Sequence, residues 1–144
     1  APNWKPQKYV ELIERINTLG QIFVNAGPNN DELANIFKKI KNVFVYTSPN
    51  LRELITIISY LKLLVTSSTG TLHIASALNI PSVSLFCPLT ACSPKLWGPL
   101  NENHYIALPP DGYCQHRCAV DPKKCTLDEI SVESIASIVA SHIQ

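Results

Sequence analysis

The chain has 144 residues, 46% of them hydrophobic and 16% charged, with a formal net charge of +1 and a pI near 7.8. This is enough apolar material for a single compact soluble domain with its own core, and it excludes a disordered chain. No block of like charge marks a nucleic-acid or acidic-membrane surface, no apolar run approaches the roughly 20 residues of a bilayer span, and the opening APNWKPQKY lacks the basic-then-apolar pattern of a signal peptide, so a cytoplasmic domain with at most peripheral membrane contact is expected.

Pro6 opens a helical pattern in which Tyr9, Leu12, Ile13, Ile16 and Leu19 recur at three- and four-residue steps, with Gly20 in the position of a C-cap. Residues 21–26 (QIFVNA) read as a buried strand, followed by a turn at residues 27–30 (GPNN) and an Asp31-led helix running to Lys41, with Leu33, Ile36, Phe37 and Ile40 on one face. Residues 43–46 form the next strand. Ser48, Pro49 and Asn50 then cap a helix over residues 51–60, whose Leu54, Ile55 and Ile58 are expected to face inward.

Residues 63–86 (LLVTSSTGTLHIASALNIPSVSLF) read as strand, polar turn, short helix, proline and second strand. The apolar run at residues 63–65 stops at Thr66, Ser67, Ser68, Thr69, Gly70 and Thr71, all small or hydroxylated, and Leu72, Ala75, Ser76, Ala77 and Leu78 give a small-residue helix able to press on a sheet. A helix starting there aims the N–H groups of Gly70, Thr71 and Leu72, and the positive end of its dipole, at whatever lies above the strand end, which suits a phosphate. The competing reading is an ordinary Ser/Thr cap beside an ordinary loop glycine. His73, in the first turn of that helix, is either a partner to the same anion or a packed, hydrogen-bonded core histidine.

Beyond the strand at residues 82–86, residues 87–126 are irregular and hold six prolines, a length that in a compact domain points to function or a partner surface. Residues 104–108 form one last short strand, and a C-terminal helix starts at Thr126 or Ser131 with Ile130, Val132, Ile135, Ile138 and Val139 as its packed stripe. Five cysteines, an odd number, argue against a complete disulfide framework. Cys87 and Cys92 flank a loop, while Cys114, Cys118 and Cys125 form a separate C-x3-C-x6-C cluster with His116 inside it and His104 nearby. Zinc held by Cys114, Cys118, Cys125 and His116 is the alternative, but tight sites carry a closer cysteine pair, and the spacing favours a reduced structural thiol cluster with no metal.

The alternation of helix and strand predicts an α/β, Rossmann-like domain: a mostly parallel sheet with helices on both faces and ligands beyond the C-terminal strand ends. The polar turns at residues 27–30, 47–50 and 66–71 all fall at that edge and are expected to converge on one crevice. The chain opens with a helix where a self-contained unit opens with a strand, so a preceding strand, and a preceding domain, are expected.

The run from Ser68-Thr69-Gly70-Thr71-Leu72-His73 through Pro81 to Phe86 is similar to the Asp-Ser/Thr-Gly-x-x-His-x-x-Ala-Ala-x-Gly-x-Pro signature, followed by an apolar strand, of the family nine glycosyltransferases, the bacterial lipopolysaccharide heptosyltransferases. Trp4 ahead of the first helix, Leu51-Arg52-Glu53-Leu54 before the key strand, and the late Cys114, Cys118 and Cys125 add to the resemblance, which spans nearly the whole chain. It implies the C-terminal, donor-binding half of a two-domain GT-B glycosyltransferase that transfers heptose from a nucleotide diphosphate heptose such as ADP-heptose to lipopolysaccharide core. In that analogy Thr69, Gly70 and Thr71 hold the donor pyrophosphate with His73 in support, Ser68 belongs to the same donor-binding turn, Gly27, Asn29 and Asp31 border the adenosine, and no cofactor is needed. The catalytic base and the acceptor site belong to the N-terminal half, so the isolated domain is expected to transfer nothing. Two residues depart from the pattern: Ser68 stands where the family has aspartate, and Pro2 and Asn3 stand where it has a basic residue before the tryptophan, leaving Lys5 as the nearest cation. The alternatives are a noncatalytic nucleotide-sugar-binding or interaction module, marked by Ser68, and a thiol-based metal or redox protein.

Overall fold

The computed structural model describes residues 1–117, 121 and 123–144. Helix α1 (Pro6–Ile16) begins on Pro6, whose missing N–H and fixed φ suit a first helical position. It ends four residues before Gly20, because the Leu19 N–H turns back to the Ile16 carbonyl at 2.9 Å, so Gly20 is not a C-cap. Strand β1 (Ile22–Asn25) leads to α2 (Asp31–Lys38), where the Asn30 side chain accepts from the Leu33 N–H and Asp31 and Glu32 oppose the helix dipole. This helix stops short of Lys41, and Asn42, at φ 63, turns the chain into β2 (Val43–Tyr46). In α3 (Leu51–Ser59) the Asn50 side chain caps the Glu53 N–H, and Ile58 is buried, but Ile55 lies on the outer side at 37% exposure rather than facing inward.

Strand β3 (Leu64–Ser67) continues two residues into the expected turn, α4 (Gly70–Ala77) follows, and β4 (Ser82–Leu85) and β5 (His104–Ala107) complete the strands. Helix α4 closes in a Schellman motif: the Ile80 N–H reaches the Ala75 carbonyl at 2.9 Å, the Asn79 N–H reaches Ser76 at 3.1 Å, and Asn79 takes the left-handed φ of 55. The irregular stretch contains a 3-10 turn (Thr90–Cys92), α5 (Pro94–Trp97) and α6 (Tyr113–Arg117), and Ser131 caps α7 (Val132–Ile143).

The strands do not form one sheet. β1 pairs with β2, and β3, β4 and β5 pair in that order, every ladder parallel. The expected continuous sheet fails between β1 and β3, because no strand of the described residues pairs with the inner edge of either. All four residues of β4 are buried, as a strand flanked on both edges and covered on both faces requires. Helices α4 and α7 both rest on β4 without resting on each other, so they cover opposite faces; α1 packs mainly on α7 and touches α2, while α3 packs on α4.

One clamp ties the start of the chain to its end. Trp4 is buried in the core with Val83, Leu85, Cys87, Ala107, Leu127 and Ile130, and its indole N–H donates to the Ile130 carbonyl at 3.2 Å. The Lys8 ammonium lies 5.6 Å from the indole centroid and donates to the carbonyls of Asp128 and Ile130, and Tyr9 packs edge-on against Trp4. Lys5 completes the clamp with an ion pair to Asp128 at 3.0 Å. Burial opposes the charge on Asp128, but hydrogen bonds from Lys5 and the Thr126 hydroxyl outweigh it and hold the carboxyl below its ordinary value.

Trp4→Ala is expected to cost about 3–5 kcal/mol in urea denaturation. Trp4→Phe should cost about 1 kcal/mol beyond the lost ring area, because the Ile130 carbonyl keeps the Lys8 ammonium as a donor. A depressed carboxyl contributes stability that is full above its unfolded value, near 4, and is lost as pH falls through the folded one. The urea midpoints of wild type and Asp128→Asn should therefore differ at pH 7 and converge on acidification, with a smaller difference at high salt because Lys5 is exposed.

Candidate functional site

The end of β3 and the start of α4 bring three hydroxyls together. Thr66 Oγ1 lies 3.2 Å from Thr69 Oγ1 and 3.3 Å from Thr71 Oγ1, and the last two are 2.7 Å apart. Thr69 is the N-cap residue of α4, yet its side chain caps no N–H, because its hydroxyl is engaged with Thr71 and Thr66. The Leu72 N–H donates to the Thr69 carbonyl at 3.1 Å, so the expected trio of open amides is reduced to Gly70 and Thr71. Those two N–H groups have no protein acceptor among the described residues, and they sit at the positive end of the helix dipole. A cluster of hydroxyls beside outward N–H groups can accept an anion through several hydrogen bonds at once.

Gly70 is exposed, and a Cβ built on it would meet nothing within 4 Å, so the surface above the turn is open. Ser68 is half-buried. His73 is exposed and makes no hydrogen bond among the described residues, which removes the packed core histidine as a reading. Thr66 is the member of this group that sequence reasoning did not assign to the site. The signal was present in the period-two pattern of the strand: Ser67 turns into the core at 2% exposure, which leaves Thr66 on the side of the turn.

The other predicted group, Gly27, Asn29 and Asp31, follows β1. Gly27 and Asn29 hold left-handed φ values of 79 and 57, the Gly27 N–H donates to Asn25 Oδ1 at 3.1 Å, and the helix cap is Asn30 rather than Asn29 or Asp31. No hydrogen bond among the described residues joins this turn, or the turn at residues 47–50, to residues 66–73. A concavity of ≈ 530 Å³ lies instead along α3, lined by Tyr46, Asn50, Arg52, Glu53, Thr56 and Ile57, none of them a predicted site residue.

Among the described residues, Cys92, Cys114 and Cys125 lie near enough to Cys87 to act on its thiol electrostatically. Cys87 is buried, and Cys92, Cys114 and Cys125 are half-buried. Burial chiefly raises the Cys87 thiol, a hydrogen bond from the Leu89 backbone opposes this, and the nearby thiols of Cys114, Cys125 and Cys92 raise it further. Among the described residues no three His, Cys, Asp or Glu side chains come together in a metal-holding group. Cys118, part of the zinc alternative with Cys114, Cys125 and His116, lies outside the described residues.

Residues 2–126 match the sequence signature of Glycosyltransferase family 9 (heptosyltransferase). The chain belongs to this family. A putative glycosyltransferase of Haemophilus influenzae strain Rd is 28% identical over 120 residues, covering 78% of this chain and 35% of that protein. Among solved structures, the Escherichia coli ADP-heptose LPS heptosyltransferase II superposes with a TM-score of 0.76 at 22% identity, covering 97% of this chain and 41% of its own. The family 9 protein of Veillonella parvula gives 0.74 at 18% identity, with 97% and 42% covered. The E. coli heptosyltransferase WaaC with ADP-2-deoxy-2-fluoro heptose gives 0.72 at 18% identity, with 96% and 38% covered. The family 9 fold described here thus corresponds to about two fifths of each heptosyltransferase chain, and no helix of the described residues is long and apolar enough to cross a membrane.

The two turn glycines of this family 9 domain differ in what they tolerate. Gly70→Ala, at a helical position with open space, should leave the unfolding free energy from urea denaturation unchanged or raise it by up to about 1 kcal/mol. Gly27→Ala, forced to a φ of 79, should cost roughly 1–2 kcal/mol in the same measurement.

Proposed function

We propose that this domain holds the nucleoside diphosphate of a nucleotide-sugar donor at the β3–α4 turn, as the donor half of a glycosyltransferase that moves heptose from an ADP-heptose-like donor to a lipopolysaccharide core acceptor. The observation that carries the reading is the Thr66, Thr69 and Thr71 hydroxyl cluster beside the Gly70 and Thr71 N–H groups. Ser68 and His73 flank the same turn and complete the pyrophosphate contacts. Gly27, Asn29 and Asp31 border the nucleoside, and ADP is the nucleotide chosen because relatives of this fold have been solved with it.

In the transfer step an acceptor hydroxyl attacks the anomeric carbon while the bond to the diphosphate breaks, and the electron pair leaves on the diphosphate oxygen. Preorganised N–H and O–H donors stabilise that growing charge more than the intact donor, which is how binding becomes catalysis. No residue of this chain is assigned as the base. The proton passes to a carboxylate of an N-terminal, acceptor-binding half, and this domain alone transfers nothing.

Ser68 supports a second reading. With a hydroxyl in place of the family's aspartate, the turn loses a carboxylate able to accept from sugar or ribose hydroxyls, as in a module that binds nucleotide sugar without transferring it. An upstream half carrying an Asp or Glu near the anomeric carbon separates the enzyme from the module.

Titration with ADP, UDP and GDP under amide NMR should shift residues 69–73, most strongly with ADP. Thr71→Val should weaken ADP binding about tenfold through loss of a phosphate donor. Gly70→Ala, with folding intact, should weaken it by at least that much by placing a methyl over the anion. Absence of any shift at residues 69–73 with all three nucleotides would sink the assignment.

A further inference from the structure

The concavity along α3 is walled by a strand and a helix that both turn aromatic residues toward solvent. On the strand side, Phe44 and Tyr46 fall on one face of β2 by its period of two, and the Tyr46 ring lies 5.7 Å from that of Phe23 on β1. On the helix side, Glu53, Ile57 and Tyr60 recur at steps of four and three residues, so they share one flank of α3 and its C-cap. Phe44 and Tyr60 are 63% and 84% exposed, two open rings on the elements that wall one concavity.

Its polar groups supply a second observation. The Tyr46 hydroxyl lies 3.0 Å from Glu53 Oε2 and 3.1 Å from the Asn50 carbonyl, which fixes the ring against the start of α3. Glu53 Oε1 and the Arg52 guanidinium have no hydrogen-bond or ion-pair partner among the described residues. The concavity thus offers a fixed aromatic ring, an apolar side chain in Ile57, one free planar donor and one free acceptor. Its volume of ≈ 530 Å³ falls within the roughly 300–1,000 Å³ of small-molecule sites.

We propose that this concavity binds a neutral saccharide, with Tyr46 and Tyr60 as stacking platforms and Arg52 and Glu53 as hydroxyl partners. A pyranose ring presents C–H groups on its faces and hydroxyls around its rim. The C–H face suits the negative face of an aromatic ring, while adjacent hydroxyls accept from a guanidinium fork and donate to a carboxylate. One cation and one anion among the lining residues leave no net charge to select an ionic ligand. The β3–α4 turn is different in kind, since its open N–H groups and helix dipole favour an anion. The saccharide site draws its residues from β2 and α3 and goes beyond the donor reading, from which it takes nothing.

The test titrates the whole chain, without nucleotide, with maltohexaose, cellohexaose, mannohexaose and xylohexaose under amide NMR. At least one sugar should shift Tyr46, Glu53, Ile57 and Tyr60 while residues 69–73 stay in place. Tyr60→Ala should weaken that sugar at least about threefold through loss of a stacking face, and Arg52→Ala by a similar factor through loss of a charged donor. Both side chains are exposed, so neither change should move the urea midpoint. No shift along the concavity with any of the four sugars, or sugar binding unchanged in the double variant, overturns the site. Shifts there with adenosine and with no sugar overturn the saccharide in favour of a nucleoside, and concentration-dependent shifts there without ligand overturn it in favour of a second copy. Because the two titrations read different amides with different ligands, failure of the sugars leaves the β3–α4 donor assignment standing, and failure of the nucleotides leaves the saccharide site standing.

Discussion

The buried indole of Trp4 organises this domain. A tryptophan with its N–H on the Ile130 carbonyl cannot move without leaving a large void and breaking the docking of α1 on α7. Helix α7 in turn covers one face of β4, the strand whose burial defines the centre of the three-stranded sheet. The clamp thus runs from residue 4 through the segment at residues 128–130 to the core, and it sets where the chain enters α1. Around the indole, cation and carboxylate contacts from Lys5, Lys8 and Asp128 are partly exposed, so they orient the clamp more than they stabilise it.

The candidate site depends on the same core through β3 and α4. Ala75 and Leu72 are buried, which presses α4 against β3 and β4, and the Schellman closure at Asn79 lets the chain reverse directly into β4. That rigidity at the far end of α4 holds its N-terminus in place. Thr69 and Thr71 spend their hydroxyls on each other and on Thr66 rather than on capping the helix, and two backbone donors are left facing outward. Asn30, Asn50 and Ser131 cap the third N–H of their helices with their side chains, whereas in α4 that N–H, from Leu72, goes to the Thr69 carbonyl and the Thr69 hydroxyl stays in the threonine cluster.

Much of this was legible before any coordinates. The helices with Pro6, Asn50 and Ser131 at their starts, the strand at residues 43–46 and the strand–turn–helix around Gly70 follow from local rules of period, capping and turn chemistry, which act within a few residues. The same locality explains the misses. Helix α1 stops at Ile16 because a backbone turn competes with the apolar period, and Ile55 lies on the exposed side of α3 although it falls within the apolar period. The short helices α5 and α6 carry no amphipathic period long enough to read.

The sequence by itself determined the α/β class, the family, and the polar turn that ends β3, since each is written in short runs of adjacent residues. Only the tertiary structure decided which residues meet. It added Thr66 to Thr69 and Thr71, exposed His73, and split the sheet between β1 and β3. Those outcomes depend on strand order and on which edges find partners, and hydrogen-bond pairing between distant strands leaves no imprint on local composition.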